Sequence, residues 1–263
     1  MKKILLAFQF LTIIPLRDIG AVSEREIGKT TAFFPLVGAV QGILLVISSA
    51  LFLQVLPAEV SNGLTLLMMI IINGGLHLDG LADTFDAIAS RKDREKKLAV
   101  MKESAVGPFG VAAIVFAILL KYLLLNAAFG MSLDAYYLSL LLMPIFSRWA
   151  MVTAIFHGKS ARRDGLGRIF IEHTGVKELI TASGLALFIS VAALLAAGQG
   201  YQFSVLSSQF LVVLPVLYAF ALASVWFCGK TFGGMTGDTF GAVSEISEIL
   251  FLMGMVIWSK KFI

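Results

Sequence analysis

Three aspartates follow a strongly apolar stretch of the chain, in the segment GGLHLDGLADTFDA at 74–87. If the helix of that stretch continues, Asp79, Asp83 and Asp86 are spaced i, i+4 and i+7 and share one face. Carboxylates about 6 Å apart repel by ~3 kcal/mol at an effective dielectric near 20, so a positive partner is needed. Oxygen ligands suit Mg²⁺, Mn²⁺ or Ca²⁺. The pattern predicts a metal site, and a solvated helix end is the simpler alternative.

A second acidic segment, GGMTGDTFGAVSEISE at 233–248, combines glycines with carboxylates. Asp238, Glu245 and Glu248 follow one another at i, i+7 and i+10, again on one helical face. Its glycines allow backbone amides to approach a phosphate closely, and we assign Gly237 to substrate binding. A flexible loop with a helix cap at Asp238 is the alternative.

Cationic side chains that could neutralise an anionic substrate lie between the two acidic segments. Lys102 follows a basic run, and Arg162 and Arg163 belong to the sequence SARRDGLGR. Arg148 lies inside an apolar stretch, where an isolated charge is costly, so it needs either an ion-pair partner or a substrate. We predict that these four residues bind phosphate groups.

The composition indicates which elements position these groups. The 263 residues are 58% hydrophobic and 14% charged, with a mean hydropathy of +0.89, which is too apolar for a soluble domain. We predict an all-α, polytopic membrane helical bundle, forming a single integral-membrane catalytic domain over residues 1–263. The six predicted spans are Thr31–Leu56, Leu64–Leu81, Gly107–Phe129, Ala135–Phe156, Leu179–Ala197 and Ser207–Phe227. Two shorter apolar pieces, Ile4–Leu16 and Ile249–Trp258, are expected to be interfacial or partial helices, and a tilted span in a locally thin region is the alternative for either.

Lysine and arginine are distributed asymmetrically among the connecting loops. The loops at 17–29, 91–102 and 159–177 hold three, six and five of them, whereas those at 57–63, 130–134 and 198–206 hold none. This alternation predicts that the protein lies in the cytoplasmic (inner) membrane, with the charged loops on the cytoplasmic side. Both acidic segments then lie on the cytoplasmic face, where one active site could include them.

Several of these motifs together resemble one enzyme family over essentially the whole chain. HLDGLADTFDA at 77–87, MKESAVGPFG at 101–110, ARRDGLG at 161–167 and GGMTGDTFGA at 233–242 are similar to the adenosylcobinamide-GDP ribazoletransferases, or cobalamin 5'-phosphate synthases. The combination of the first and last motifs is specific to that family. One departure is Glu103, where we associate the family with an aspartate.

The resemblance implies an Mg²⁺-dependent membrane transferase. It would join adenosylcobinamide-GDP to α-ribazole or its 5'-phosphate, release GMP, and form adenosylcobalamin or its 5'-phosphate. Asp79, Asp83, Asp86 and Asp238 would hold one or two Mg²⁺ ions. A carboxylate not saturated by metal, Asp86 or Asp238, would act as general base, so that Asp83, Asp86 and Asp238 form the catalytic set.

Two other functions fit parts of the same pattern. A CDP-alcohol phosphotransferase of lipid synthesis also uses clustered aspartates and a divalent ion, but its expected alanine and arginine after the DG element are missing here. A cation-coupled membrane transporter would also bury carboxylates, near the bilayer midplane. As partners we expect the small-molecule substrates and membrane lipid, and no nucleic acid. A homo-oligomer stays open.

Overall fold

The computed structural model describes residues 2–17, 19–103, 105–196 and 203–259, and these residues form helices and connecting loops without a β-strand. The first helices are α1 (Lys2–Leu11), α2 (Glu24–Gly28), α3 (Phe34–Phe52), α4 (Ala58–Asn73), α5 (Leu76–Ala89) and α6 (Arg94–Val100), with a 3₁₀ helix at Lys29–Phe33. The others are α7 (Pro108–Met131), α8 (Leu133–His157), α9 (Leu166–His173), α10 (Val176–Ala196), α11 (Phe203–Thr231) and α12 (Gly237–Ser259). The predicted all-α fold is confirmed.

Six helical segments of the described residues are long and apolar enough to cross a membrane. They are Glu24–Phe52, Pro108–Met131, Leu133–His157, Val176–Ala196, Val212–Thr231 and Gly237–Ile257. The chain is therefore a polytopic helical membrane protein, as predicted. Ala197, the last residue of one predicted span, lies outside the described residues.

The predicted short C-terminal piece Ile249–Trp258 is wrong as a separate element. It forms the second half of α12, a helix of 23 residues. The acidic first half of α12 hid this continuity, because Glu245 and Glu248 interrupt the apolar pattern although both are buried in the bundle. At the other end, α1 has ten residues and is too short to cross, as expected for Ile4–Leu16.

The second predicted span, Leu64–Leu81, is also wrong as one continuous helix. α4 ends at Asn73, α5 begins at Leu76, and the two helices meet at an angle of 88°. Gly74 and Gly75 between them have φ of 61° and 72°, the left-handed region that favours glycine. Hydropathy does not register such a bend, because both helices are apolar.

The centre of the bundle is α8, most of whose residues are buried. α3 packs directly on its backbone: a Cβ at Gly38 would lie 2.5 Å from the carbonyl oxygen of Pro144, and one at Gly42 would overlap Leu141. These two glycines therefore allow α3 and α8 to pack closely. α7, α10 and α11 expose many apolar side chains, as helices in contact with lipid do.

The polar loops meet at one end of this bundle. The N–H of Met235, just before α12, donates to the carbonyl of Lys159 at 2.7 Å, and the N–H of Ala161 donates to the carbonyl of Met235 at 2.9 Å. The sequence SARRDGLGR is thereby joined to the glycine-rich segment that opens α12. The tertiary structure thus brings together two motifs that lie about 75 residues apart in the chain.

Candidate active site

The two acidic segments meet where α5 crosses the beginning of α12. A Cβ at Gly80 would lie 2.6 Å from the carbonyl oxygen of Asp238, and a Cβ at Gly241 would lie 3.1 Å from the carbonyl oxygen of His77. A Cβ at Gly80 would force the helices apart, and one at Gly241 would make a tight contact, so small residues at both positions favour this close approach. The approach brings Asp83 into the electrostatic field of Asp238, as well as those of Asp79 and Asp86 on its own helix.

The carboxylates of this cluster repel one another. Asp83 is half-buried, so desolvation and the neighbouring negative charges both disfavour its ionised form, and Arg162 is the cation that opposes them. The cluster therefore has an excess of negative charge over the positive charge that the chain supplies. Such an excess suits a site that binds a cation.

A cavity of about 260 Å³ opens between the two acidic segments and the loop before α9. Its polar wall includes three of the predicted site residues with charged side chains, Asp79, Arg162 and Asp238, together with Gly237. Its lining also includes four aromatic residues, Phe10, Phe34, Phe170 and Phe240. The cavity thus combines a charged region with an apolar one, which is typical of a small-molecule site.

Arg162 is the cation that lies closest to the acidic groups. Its Nη1 lies 3.2 Å from Oδ2 of Asp238, and its Nη2 donates to the carbonyl of Leu98 in α6 at 3.3 Å. The hydroxyl of Thr236 donates to the same Asp238 oxygen at 3.3 Å. Arg162 and Asp238 therefore have fixed positions at the rim of the cavity.

Asp86 has a different position from the other two aspartates of α5. Its two carboxylate oxygens accept hydrogen bonds from the N–H groups of Gly107, at 2.6 Å, and Gly110, at 2.8 Å, at the beginning of α7. A Cβ at either glycine would overlap the Asp86 carboxylate. Asp86 therefore stabilises the N-terminus of α7, which explains the glycines of the VGPFG sequence.

Arg148 lies in the interior of the bundle and does not reach the cavity. Its guanidinium group is completely buried and contacts Glu248, at 3.3 Å, and Ser244 of α12. It also donates to Gln41 at 3.0 Å and to Asn73 at 3.2 Å. The structure thus supplies the ion-pair partner that the sequence required, and the geometry gives no support to substrate binding by Arg148.

Lys102 and Arg163 lie beside the cavity. Both are exposed and line a neighbouring surface groove of about 370 Å³, which shares Arg162 with the cavity. Nζ of Lys102 is 4.0 Å from a carboxylate oxygen of Asp164. Glu103 is exposed and lines neither the cavity nor the groove.

Part of the cavity wall could not be predicted from the sequence. Phe10 and Phe34 lie in apolar segments, where nothing in the pattern separates an aromatic residue of a site from one of the core. Arg168 also lines the cavity, and it donates to Glu24 at 2.9 Å and Glu172 at 2.5 Å, which connects α9 to α2. Only the way in which α1, α2 and α9 pack over the polar end makes these residues part of the site.

The residues present fit a magnesium ion only in part. No group of three or more His, Cys, Asp or Glu side chains is arranged to hold a metal within the described residues. Asp86 is engaged by α7. Asp79, Asp83 and Asp238 form the remaining acidic set, and Mg²⁺ typically takes one or two carboxylates and completes its coordination with water and substrate phosphates. One or two carboxylates of this set would suffice for such an ion.

Comparison with known proteins identifies the family. Residues 3–256 match the family model described as cobalamin-5-phosphate synthase. The chain belongs to this family. A curated relative from Geotalea daltonii, named adenosylcobinamide-GDP ribazoletransferase, is 39% identical over 97% of each chain. Relatives of the same name from Clostridium tetani and Caldanaerobacter subterraneus are 33% and 36% identical over at least 95% of each chain.

As a member of the cobalamin-5-phosphate synthase family, the chain is a membrane transferase of cobalamin biosynthesis. The family resemblance seen in the four motifs is thereby confirmed. No solved structure matches the chain.

Proposed function

We propose that the protein joins adenosylcobinamide-GDP to α-ribazole or α-ribazole 5'-phosphate and releases GMP. The observation that carries the proposal is the close contact between α5 and α12. Asp79, Arg162 and Asp238 line one cavity there, and Asp83 lies within their electrostatic field just outside its lining. The names of the relatives support the choice of substrates. Attack of a hydroxyl group on an anionic diphosphate requires charge neutralisation and alignment, and this cluster supplies groups for both.

The reaction is a displacement at phosphorus. The ribose hydroxyl oxygen of the α-ribazole substrate forms a bond to the cobinamide-side phosphorus, and the bond from that phosphorus to the bridging oxygen breaks. GMP leaves with the bridging oxygen, and the hydroxyl proton passes to a carboxylate. Asp238 lines the cavity and both oxygens of Asp86 accept backbone hydrogen bonds, so we assign the general base to Asp238.

Arg162 orients the diphosphate, because its guanidinium group is fixed at the rim of the cavity beside Asp238. Lys102 and Arg163 bind the more exposed phosphate oxygens in the neighbouring groove. Gly237 lines the cavity, and a Cβ there would meet no atom within 4 Å, so a phosphate oxygen can approach its backbone from that side. The aromatic residues of the lining exclude water from the reacting atoms.

Magnesium is part of this proposal. Asp79 and Asp83 would hold it, which leaves Asp238 to act as the base, and when bound it would neutralise charge on the diphosphate. The protein is proposed to lie in the cytoplasmic membrane with the cavity on the cytoplasmic side, because the lysine- and arginine-rich loops lie at the cavity end of the bundle.

The proposal is tested by incubating the purified, lipid-reconstituted protein with adenosylcobinamide-GDP and α-ribazole, with and without Mg²⁺. We expect release of GMP and formation of adenosylcobalamin, both dependent on Mg²⁺. A parallel reaction with a CDP-alcohol and an acceptor alcohol should release no CMP. Release of CMP without GMP would instead identify a phosphotransferase of lipid synthesis, and full activity in excess EDTA would remove the metal from the mechanism.

A further inference from the structure

Four charged side chains form a buried network inside the bundle, away from the cavity. Nζ of Lys121 in α7 donates to Glu245, at 2.5 Å, and to Glu248, both in α12. Glu248 also lies 3.3 Å from Arg148 in α8. Two positive and two negative charges balance, and all four side chains are at most 2% exposed. A buried network of this kind is costly unless all its members have partners.

His77 lies between this network and the aspartates of α5. It lies at the beginning of α5, two residues before Asp79, and is 2% exposed. Neither of its ring nitrogens has a hydrogen-bond partner among the described residues. His77 lies within electrostatic range of Arg148 and Lys121, and it lines the larger cavity together with Asp79 as well. An unpartnered buried imidazole is destabilising, which indicates a partner that is not part of the chain.

A small cavity lies beside the His77 ring. It is lined by the polar residues Asn73, His77 and Glu245, together with Met69, Ile70, Gly75 and Leu78, and has a volume of about 10 Å³. A space of roughly 10–15 Å³ with two to four polar partners is what one water molecule requires. An amide, an imidazole and a carboxylate provide both donors and acceptors for it.

We propose that one ordered water molecule occupies this cavity and connects His77 of α5 to Glu245 of α12 and Asn73 of α4. His77 is then a positioning residue: through this water it holds α5, and with it Asp79 and Asp83, in place against α12. A neutral imidazole suits this role, because it offers one donor and one acceptor where Lys121 and Arg148 already supply the positive charge.

The geometry of the surrounding helices explains why a water is needed at this point. The bend at Gly74 and Gly75 separates α5 from α4, so no helical hydrogen bonds run through from one to the other. The position of α5 therefore depends on its side-chain and backbone contacts with the other helices. At its C-terminal end Asp86 connects it to α7, and at its N-terminal end the water would connect it to α12 and α4.

The experiment compares the wild type with His77→Gln and His77→Leu in the reconstituted full chain. Gln keeps one donor and one acceptor, whereas Leu keeps only part of the volume. We expect His77→Leu to lower kcat for GMP release by about tenfold or more, with KM for both substrates nearly unchanged, because misplacing catalytic groups affects the chemical step. His77→Gln should restore most of kcat.

Hydrogen–deuterium exchange provides a readout that does not depend on activity. Amides of α5 should exchange faster in His77→Leu than in the wild type and in His77→Gln. Equal loss of kcat in Gln and Leu would mean that only packing matters, and a large rise in KM would mean that His77 binds substrate; either result overturns the proposal. A structure of the full chain that resolves ordered water and shows this cavity empty would also overturn it.

This inference rests on the proposed function only for its kinetic test. If the wild type releases no GMP, the proposed function fails while the exchange and structural tests of the water still apply. If the wild type is active and the His77 variants behave alike, the water-mediated positioning fails while the proposed function stands.

Discussion

At the scale of single residues, the aspartates of α5 differ in what surrounds them, although they are spaced so that they share one helical face. Asp79 is exposed at the cavity, Asp83 is half-buried among like charges, and Asp86 accepts two backbone hydrogen bonds from α7. A carboxylate whose two oxygens are engaged by amides serves structure first. Identical side chains therefore have separate roles, decided by the neighbouring helices.

Asp83→Asn should abolish most of the activity, because it removes a negative charge from the proposed metal set with almost no change in volume. We expect kcat for GMP release to fall by at least about 100-fold with little change in thermal stability. The matched control is Asp134→Asn in the first turn of α8, remote from the cavity, which should remain active. Full activity of Asp83→Asn would exclude Asp83 from the site.

Asp86→Asn tests whether Asp86 has a structural role, in contrast to Asp83. An amide side chain has only one oxygen, so it can replace one of the two hydrogen bonds to Gly107 and Gly110 but loses the charge at the helix N-terminus. We expect the protein to be destabilised by about 1 kcal/mol and to lose less activity than Asp83→Asn. Thermal unfolding in detergent and GMP release measure the two effects. An inactive variant with unchanged stability would return Asp86 to the catalytic set.

At the scale of helices, two glycines determine how close α5 and α12 can be. Gly80 faces the backbone of Asp238, where a side chain would separate the helices, and Gly241 faces the backbone of His77, where a side chain would be tight. Two other glycines, Gly74 and Gly75, turn α5 away from α4. The distance between the acidic segments therefore depends on residues that have no functional groups of their own.

Gly80→Ala should separate α5 from α12 and so reduce activity by about tenfold or more, since small displacements of catalytic groups are costly. The matched control is Gly63→Ala in α4, where an added Cβ meets no atom within 4 Å. That change should leave activity intact and stability equal or slightly higher. GMP release and thermal unfolding of both variants check this, and an unimpaired Gly80→Ala enzyme would contradict the importance of the close contact.

At the scale of the whole molecule, the bundle separates a lipid-exposed surface from a polar end. α7, α10 and α11 expose apolar side chains, α8 is buried, and the loops at 91–102 and 159–177 lie around the cavity. The charge distribution of these loops predicts which side of the membrane the cavity faces. This orientation can be tested with the single native cysteine in place, because Cys228 is buried.

Cysteine labelling should place the cavity on the cytoplasmic side. In the Lys92→Cys variant, a membrane-impermeant maleimide should react only in inside-out vesicles. In the Glu59→Cys variant, at the beginning of α4, it should react in intact cells, since α4 begins at the opposite end of the bundle. The reverse pattern would contradict the predicted orientation.

The sequence alone determined the class of the protein and suggested the chemistry that we propose for it. The membrane class follows from composition, because so apolar a chain can only be accommodated by lipid or by a very large core. The proposed chemistry follows from residue spacing, because carboxylates at helical intervals beside glycines favour cation and phosphate binding. The sequence pattern did not predict three other features: the bend at Gly74–Gly75, the length of α12 and the partner of Arg148.

Only the tertiary structure decided which charged groups meet. Arg148 and Asp238 both lie on membrane-spanning helices, yet one pairs with Glu248 in the interior and the other lines the cavity. The physical reason is that an ion pair depends on the distance between side chains of different helices, whereas hydropathy and periodicity describe each helix separately. Packing of α5, α8 and α12 sets those distances, and with them the separation between a buried structural network and a site open to substrate.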